Sequence, residues 1–193
     1  MASTVLHAGG CTGRPARRQH RAMETLRFEI DIVAPVQTVW STMLDQDTYR
    51  QWSSAFSDGS YYTGGWEEGD TIRFLGPDPG DSADADADAD PDGGMLGTIV
   101  ASRANEFVQV EYTGLVSNGV DDTASEPARQ IAGTHESYSF SENNGVTTVV
   151  TEIEVLDEWA PMFRDMWPVA LDRLRDLAER ADAPNRERLT ADD

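Results

Sequence analysis

The stretch that most constrains the fold lies near the end of the chain. In "MFRDMWPVALDRLRDLAERA", Phe163, Met166, Trp167, Ala170, Leu171, Leu174, Leu177 and Ala178 recur at helical spacing and form one apolar stripe. A long helix with one apolar face must bury that face, so the rest of the chain has to supply a matching surface. Pro168 stands near the start of this stretch, where it can kink the helix.

Most of what precedes the stripe reads as strand. "LRFEIDIV" alternates, with Leu26, Phe28, Ile30 and Ile32 on one side, and Ala34-Pro35 ends it. Pro35 suits the first turn of a helix, and Val36, Val39, Trp40 and Met43 follow at helical spacing. A second short helix follows in "DQDTYRQWSSAF", with Asp45 or Asp47 as its cap and Tyr49, Trp52 and Phe56 as its stripe. "SYYTGGW" and "DTIRFLG" form a hairpin pattern around "EEG", and "MLGTIVASRA" and "EFVQVEYTGLV" join through Asn105. "SNGVDDTASEPARQ" reads as a loop of about a dozen residues. "THESYSFSE" and "VTTVVTEIEVL" flank Asn143-Asn144-Gly145, a strong hairpin turn.

The expected class is α+β. A curved antiparallel sheet of about six or seven strands wraps around a long C-terminal helix, with two short helices after the first strand. One domain is expected over residues 24–182, interrupted by an expanded acidic loop at 77–94. Residues 1–23 read as a disordered extension, or as translated sequence upstream of a start at Met23, and 183–193 as a disordered acidic tail. The first of these contains Arg14, Arg17, Arg18 and Arg21 but no acid, and lacks the amphipathic period of a transit peptide. No apolar run reaches the roughly 18 residues of a membrane span. The expected setting is cytoplasmic.

At this point the order of elements, with "APVQTVWSTMLDQDTYRQWSSAF" early and "MFRDMWPVALDRL" late, resembles the helix-grip SRPBCC superfamily of START lipid-transfer domains, pollen allergens and polyketide cyclases. "GSYYTGGWEEGDTIRFLGPD", "GVDDTASE" and "ESYSF" are similar to a small prokaryotic branch named for homology to the activator of the heat-shock-protein ATPase. The resemblance covers about residues 26 to 178. It implies a helix-grip fold with a ligand cavity and no single activity, since members include carriers, cyclases and co-chaperones. The chain departs from that branch where "PGDSADADADADPD" replaces a short turn between two strands.

That insertion contains Asp88, Asp90, Asp92 and Gly93 at the D-x-D-x-D-G spacing of a calcium loop. Position twelve of such a loop, where a bidentate glutamate is needed, is Ile99, and strands rather than helices flank the segment. It reads as a solvated acidic loop. Two of the three histidines, His7 and His20, lie in the leader with the only cysteine, Cys11, so no zinc spacing exists. No metal and no cofactor is expected.

The candidate site lies between sheet and helix. Trp52, Phe56, Trp66, Phe74, Tyr112, Tyr138, Phe140, Met162, Phe163, Met166, Trp167 and Leu171 are what a pocket there would recruit, and equally what a filled core would recruit. Glu136 shares a strand face with Tyr138 and Phe140, while its neighbour His135 faces the other way. A carboxyl on that face is partly desolvated and needs a partner, for which Arg73 and Tyr112 are candidates. It reads as a polar anchor for a ligand, as a weak candidate for a general base, or as a solvated strand residue at the rim.

Three functional readings follow. The first is a non-enzymatic domain that binds a small, mostly hydrophobic molecule, as a monomer or homodimer. The second is a protein-interaction module acting on a chaperone, which rests on the resemblance. The third is a cyclase- or hydrolase-like enzyme using Glu136.

Charge excludes a further class. The net charge is −20, and all 15 basic residues are arginine. Nucleic acid is excluded as a partner by the lack of a basic face. So acidic a surface repels itself at low ionic strength, which points to a salt-adapted, halophilic protein. The melting temperature is therefore expected to rise from low to molar potassium chloride, followed by circular dichroism; a constant value would remove the salt adaptation.

Overall fold

The alternating run Leu26, Phe28, Ile30, Ile32 forms the first strand, β1 (Met23–Ile32), in a computed structural model that describes residues 22–77 and 92–191. Pro35 starts α1 (Val36–Leu44), and Asp45 caps α2 (Gln46–Trp52) by accepting from the Asp47 backbone N–H at 3.0 Å. Five strands follow: β2 (Tyr61–Gly64), β3 (Thr71–Pro77), β4 (Asp92–Arg103), β5 (Phe107–Ser117) and β6 (Val120–Asp122). Then come α3 (Glu126–Ile131), β7 (His135–Asn143), β8 (Val146–Leu156) and α4 (Ala160–Ala191). This is the expected α+β arrangement, an antiparallel sheet with a long C-terminal helix and short helices after the first strand.

The order across the sheet is β1-β8-β7-β5-β4-β3-β2, with β6 pairing β5 off this path. β6 and α3 both come from the segment read as a loop. Asn118 and Gly119 take positive φ (51° and 71°), making an Asn-Gly hairpin turn into β6. Ser125 then caps α3 by accepting from the Ala128 N–H at 3.2 Å, with Pro127 in the first turn. Both signals are present in "SNGVDDTASEPARQ"; its polarity outweighed them in the loop reading.

α4 packs chiefly against β1, α1 and α2, burying Trp167, Ala170, Leu171, Leu174 and Ala178 of its stripe. Pro168 lies within it, and its backbone continues through Ala191, over most of the residues expected to form a tail. Two carboxylates tie the early chain to this frame. Glu142 on β7 accepts from the Val36 N–H at 2.9 Å, satisfying an open donor of α1 that Pro35 cannot serve, and Glu179 on α4 accepts from the Val33 N–H at 2.9 Å.

The expectations for residues 1–21, which include His7, Cys11 and His20, lie outside the described residues. So do those for most of the acidic insertion, including Asp88 and Asp90. Ile99, the twelfth position of the calcium-like spacing, is fully buried in β4. Among the described residues no helix is long and apolar enough to cross a membrane.

Curvature of the sheet comes from register shifts between β4 and β5, at Leu96/Gly97 and Ile99/Ala101. Close backbone approach accompanies it. A Cβ on Gly97 would meet Val110 Cγ1 at 2.6 Å, and one on Gly94 would meet the Phe74 carbonyl oxygen at 1.9 Å. Only glycine fits at Gly94, because the obstacle is backbone rather than a side chain that can turn away. Gly94→Ala is expected to lower stability by about 1–3 kcal/mol, the usual cost of overpacking, in urea denaturation. A variant as stable as the parent would mean that β3 and β4 do not approach this closely.

Candidate functional site

Inward-facing residues of β3, β4 and β5 and the first turns of α4 do not meet. Between them lies a cavity of about 710 Å³, within the usual range of about 300–1,000 Å³ for small-molecule sites. Phe74 and Leu75 come from β3, Met95 from β4, and Tyr112, Leu115 and Val116 from β5. α4 contributes Met162, Phe163, Met166 and Trp167, while Tyr49 of α2 and Phe56 close one side. The aromatic wall falls into two groups, with ring centroids 4.9 Å apart for Phe56–Trp167 and 6.0 and 6.2 Å apart for Tyr49–Phe74 and Phe74–Tyr112.

Among the described residues one carboxylic acid, Glu136, lines this apolar space, and none of the lining side chains is basic. The alternation of β7 brings it inward, in register with Val110 on β5 and Ile153 on β8. It is 6% exposed. Tyr112 donates its hydroxyl to Oε2 at 2.5 Å, and Tyr138 donates to Oε1. Burial pushes the carboxyl above its ordinary value of 4.5, and the two tyrosine hydrogen bonds work against that rise. Burial, and then the Glu136 charge, hold both tyrosine hydroxyls well above 10.0. They therefore remain protonated donors. Burial and Glu136 raise the Tyr49 hydroxyl in the same way.

Eight of the residues singled out from the sequence line the cavity: Phe56, Phe74, Tyr112, Glu136, Met162, Phe163, Met166 and Trp167. Five lie elsewhere. Trp52 is core, its indole N–H donating to the Met43 carbonyl at 3.0 Å. Phe140 packs under α1 against Trp40 at 5.1 Å, and Leu171 is buried further along α4. Trp66 and Tyr138 stand behind the wall, with Trp66 against Tyr62 and Phe74, and Tyr138 reaching the site through its bond to Glu136. Of the partners considered for Glu136, Tyr112 is one and Arg73 is not. Arg73 faces out and makes a bidentate pair with Asp121 of β6 at 2.6 and 2.7 Å. Its alternation with the inward residues Ile72 and Phe74 carried that signal. His135 also faces out, between Glu111 and Glu154.

Tyr49, Met95 and Leu115 were not among the candidates. Tyr49 reads as part of a helix stripe, and only the packing of α2 over β2 and β3 turns it towards Glu136.

This arrangement of sheet, cavity and covering helix has solved counterparts. The fold is the helix-grip. The solution structure of the Aha1 dimer from Colwellia psychrerythraea is 19% identical with a TM-score of 0.56, over 81% of this chain and 96% of that one. CalU16 from Micromonospora echinospora is 15% identical with a TM-score of 0.53, over 87% and 82%. NE0264 from Nitrosomonas europaea is 10% identical with a TM-score of 0.58, over 82% and 96%. The sequence matches no family model and no curated protein. At these identities the likeness is one of fold.

The raised Glu136 carboxyl has a consequence for stability. The folded state holds this proton more tightly than the unfolded chain does. Its contribution is therefore full below the ordinary value of 4.5 and is lost as pH rises through the raised value. Glu136→Gln should remove that dependence. In urea denaturation at fixed salt, the variant should gain on the parent across this window by up to about 1.4 kcal/mol per pH unit, the limit for one proton. Parallel profiles would show that Glu136 titrates as it does in the unfolded chain.

Proposed function

We propose that the protein binds a small, mostly hydrophobic molecule in the cavity between its sheet and C-terminal helix. The observation that carries this reading is the cavity itself, about 710 Å³ walled by aromatic and methionine side chains around a single buried carboxyl. Walls of this kind contribute apolar area, and one polar group fixes orientation. Met162 and Met166 add an adaptable surface on the helix side. The setting proposed for this activity is cytoplasmic, with a surface adapted to salt.

Catalysis by Glu136 is the weaker reading. The two tyrosine hydrogen bonds favour the ionised form of Glu136 and so weaken it as a base. A protein-interaction module acting on a chaperone is supported by the fold shared with the Aha1 dimer. The large apolar residues that are exposed, among them Val33, Val120 and Val169, come from separate parts of the chain.

Native mass spectrometry of protein purified gently in high salt is expected to show a retained small mass. Met166→Trp, which fills the cavity from α4, should abolish that mass and lower affinity for a rebound ligand at least about tenfold. Stability should fall by less than the roughly 1–3 kcal/mol of overpacking a filled core, since the added volume enters the cavity. Empty parent protein that shifts with no lipid, isoprenoid or aromatic compound would overturn the reading. The same spectra report assembly, and an empty dimer that captures a chaperone would favour the interaction module.

A further inference from the structure

The chemistry of the cavity floor bears on which apolar molecules it would accept. Each oxygen of Glu136 accepts one hydrogen bond, from Tyr112 and from Tyr138. A carboxylate oxygen can accept two, so acceptor capacity remains. Each tyrosine hydroxyl has one proton, and here both protons are directed to Glu136. The ionised cluster is therefore rich in acceptors and has no donor left for a ligand.

Among the described residues nothing around it supplies positive charge. No described arginine or histidine lines the cavity; the other polar side-chain atoms there belong to Ser57, Ser60, Ser117, the Tyr49 hydroxyl and the Trp159 and Trp167 indoles, and the Trp167 N–H has no hydrogen-bond partner. Ser60 already donates to the Ser57 carbonyl at 2.7 Å, and Ser117 is the exposed last residue of β5. Deep in the cavity the fixed charge is negative, and the described residues offer it no counter-ion.

Resting on the reading of this cavity as a ligand site, we infer that its occupant is an organic amine: an apolar, preferably aromatic skeleton carrying a protonated nitrogen that pairs with Glu136. Such a nitrogen supplies both missing elements, a donor and a positive charge, in a space where water screens poorly. The rings of Phe56, Phe74, Tyr112 and Trp167 add cation–π attraction for a cation that approaches within about 6 Å. An anionic head at the same place would put two like charges into one low-dielectric space, with no positive charge among the described lining residues to compensate. Fatty-acid-like molecules are excluded on this ground, although their tails suit the walls.

Three probes with one skeleton test this: 4-phenylbutylamine, 4-phenylbutan-1-ol and 4-phenylbutyrate. Isothermal titration is done at pH 7 in molar potassium chloride, where attraction to the acidic outer surface is screened within about 3 Å and a buried charge is not. The amine is expected to bind at least about tenfold more tightly than the acid, with the alcohol between them. Glu136→Gln should bring the amine to within about twofold of the alcohol. Equal binding of all three leaves the cavity reading standing and overturns the amine inference. So does an acid that binds as well as the amine, or an amine preference that Glu136→Gln leaves unchanged. Failure of all three to bind overturns both. Where Glu136→Gln does not fold, the rank order in the parent protein decides.

Discussion

A single helix has to cover the concave face of a sheet far wider than itself. With about 4.8 Å between neighbouring strands, the seven strands of the main path span roughly 30 Å, whereas a helix with its side chains is about 10 Å across. α4 lies against β1, and α1 and α2 fill part of the remainder. Over β3, β4 and β5 the cover is incomplete, and the cavity is what remains. Its place follows from how the short helices and α4 divide the sheet between them.

The same constraint accounts for the glycines. A sheet that curls towards one helix must bend, and it bends where β4 and β5 fall out of register. Gly94 and Gly97 allow backbones to approach to distances that any Cβ would prevent. Gly94 lines the cavity, so the close strand approach that it permits also shapes the cavity wall. Polar groups on the inner face are then held by neighbours rather than by water. Glu136 receives two tyrosine hydroxyls, and the buried Tyr62 hydroxyl donates to the Leu44 carbonyl at 2.5 Å. An unpaired carboxyl in that position would cost several kcal/mol, on the order of the whole stability margin of a domain.

Period made the architecture legible in the sequence. Alternation in "LRFEIDIV" and "VTTVVTEIEVL", and the stripe from Phe163 to Ala178, correspond to β1, β8 and α4. Asn144 and Gly145 take positive φ at the hairpin, as their chemistry dictates. The candidate site was legible only in part. Period tells which face a residue occupies but not how far away the opposite wall stands, so Trp52 and Phe140 looked as eligible as Phe56 and Phe74. No local pattern marks Tyr49, because its partners Tyr62, Phe74 and Glu136 come from three other elements.

What the sequence by itself determined is the set of inward-facing side chains, because strand and helix periods are local and a chain of this composition has no other way to bury them. It also set Glu136 among tyrosines and aromatics, and Arg73 on the opposite face. Tertiary structure alone decided which of those inward residues touch one another and which line an empty space. That distinction depends on the angle and distance at which α4 crosses the curved sheet, and no local pattern encodes either. It likewise decided that the carboxyl of Glu136 is met by hydroxyls rather than by a cation, since Tyr112 and Tyr138 reach it from two adjacent strands while Arg73 turns outward to Asp121.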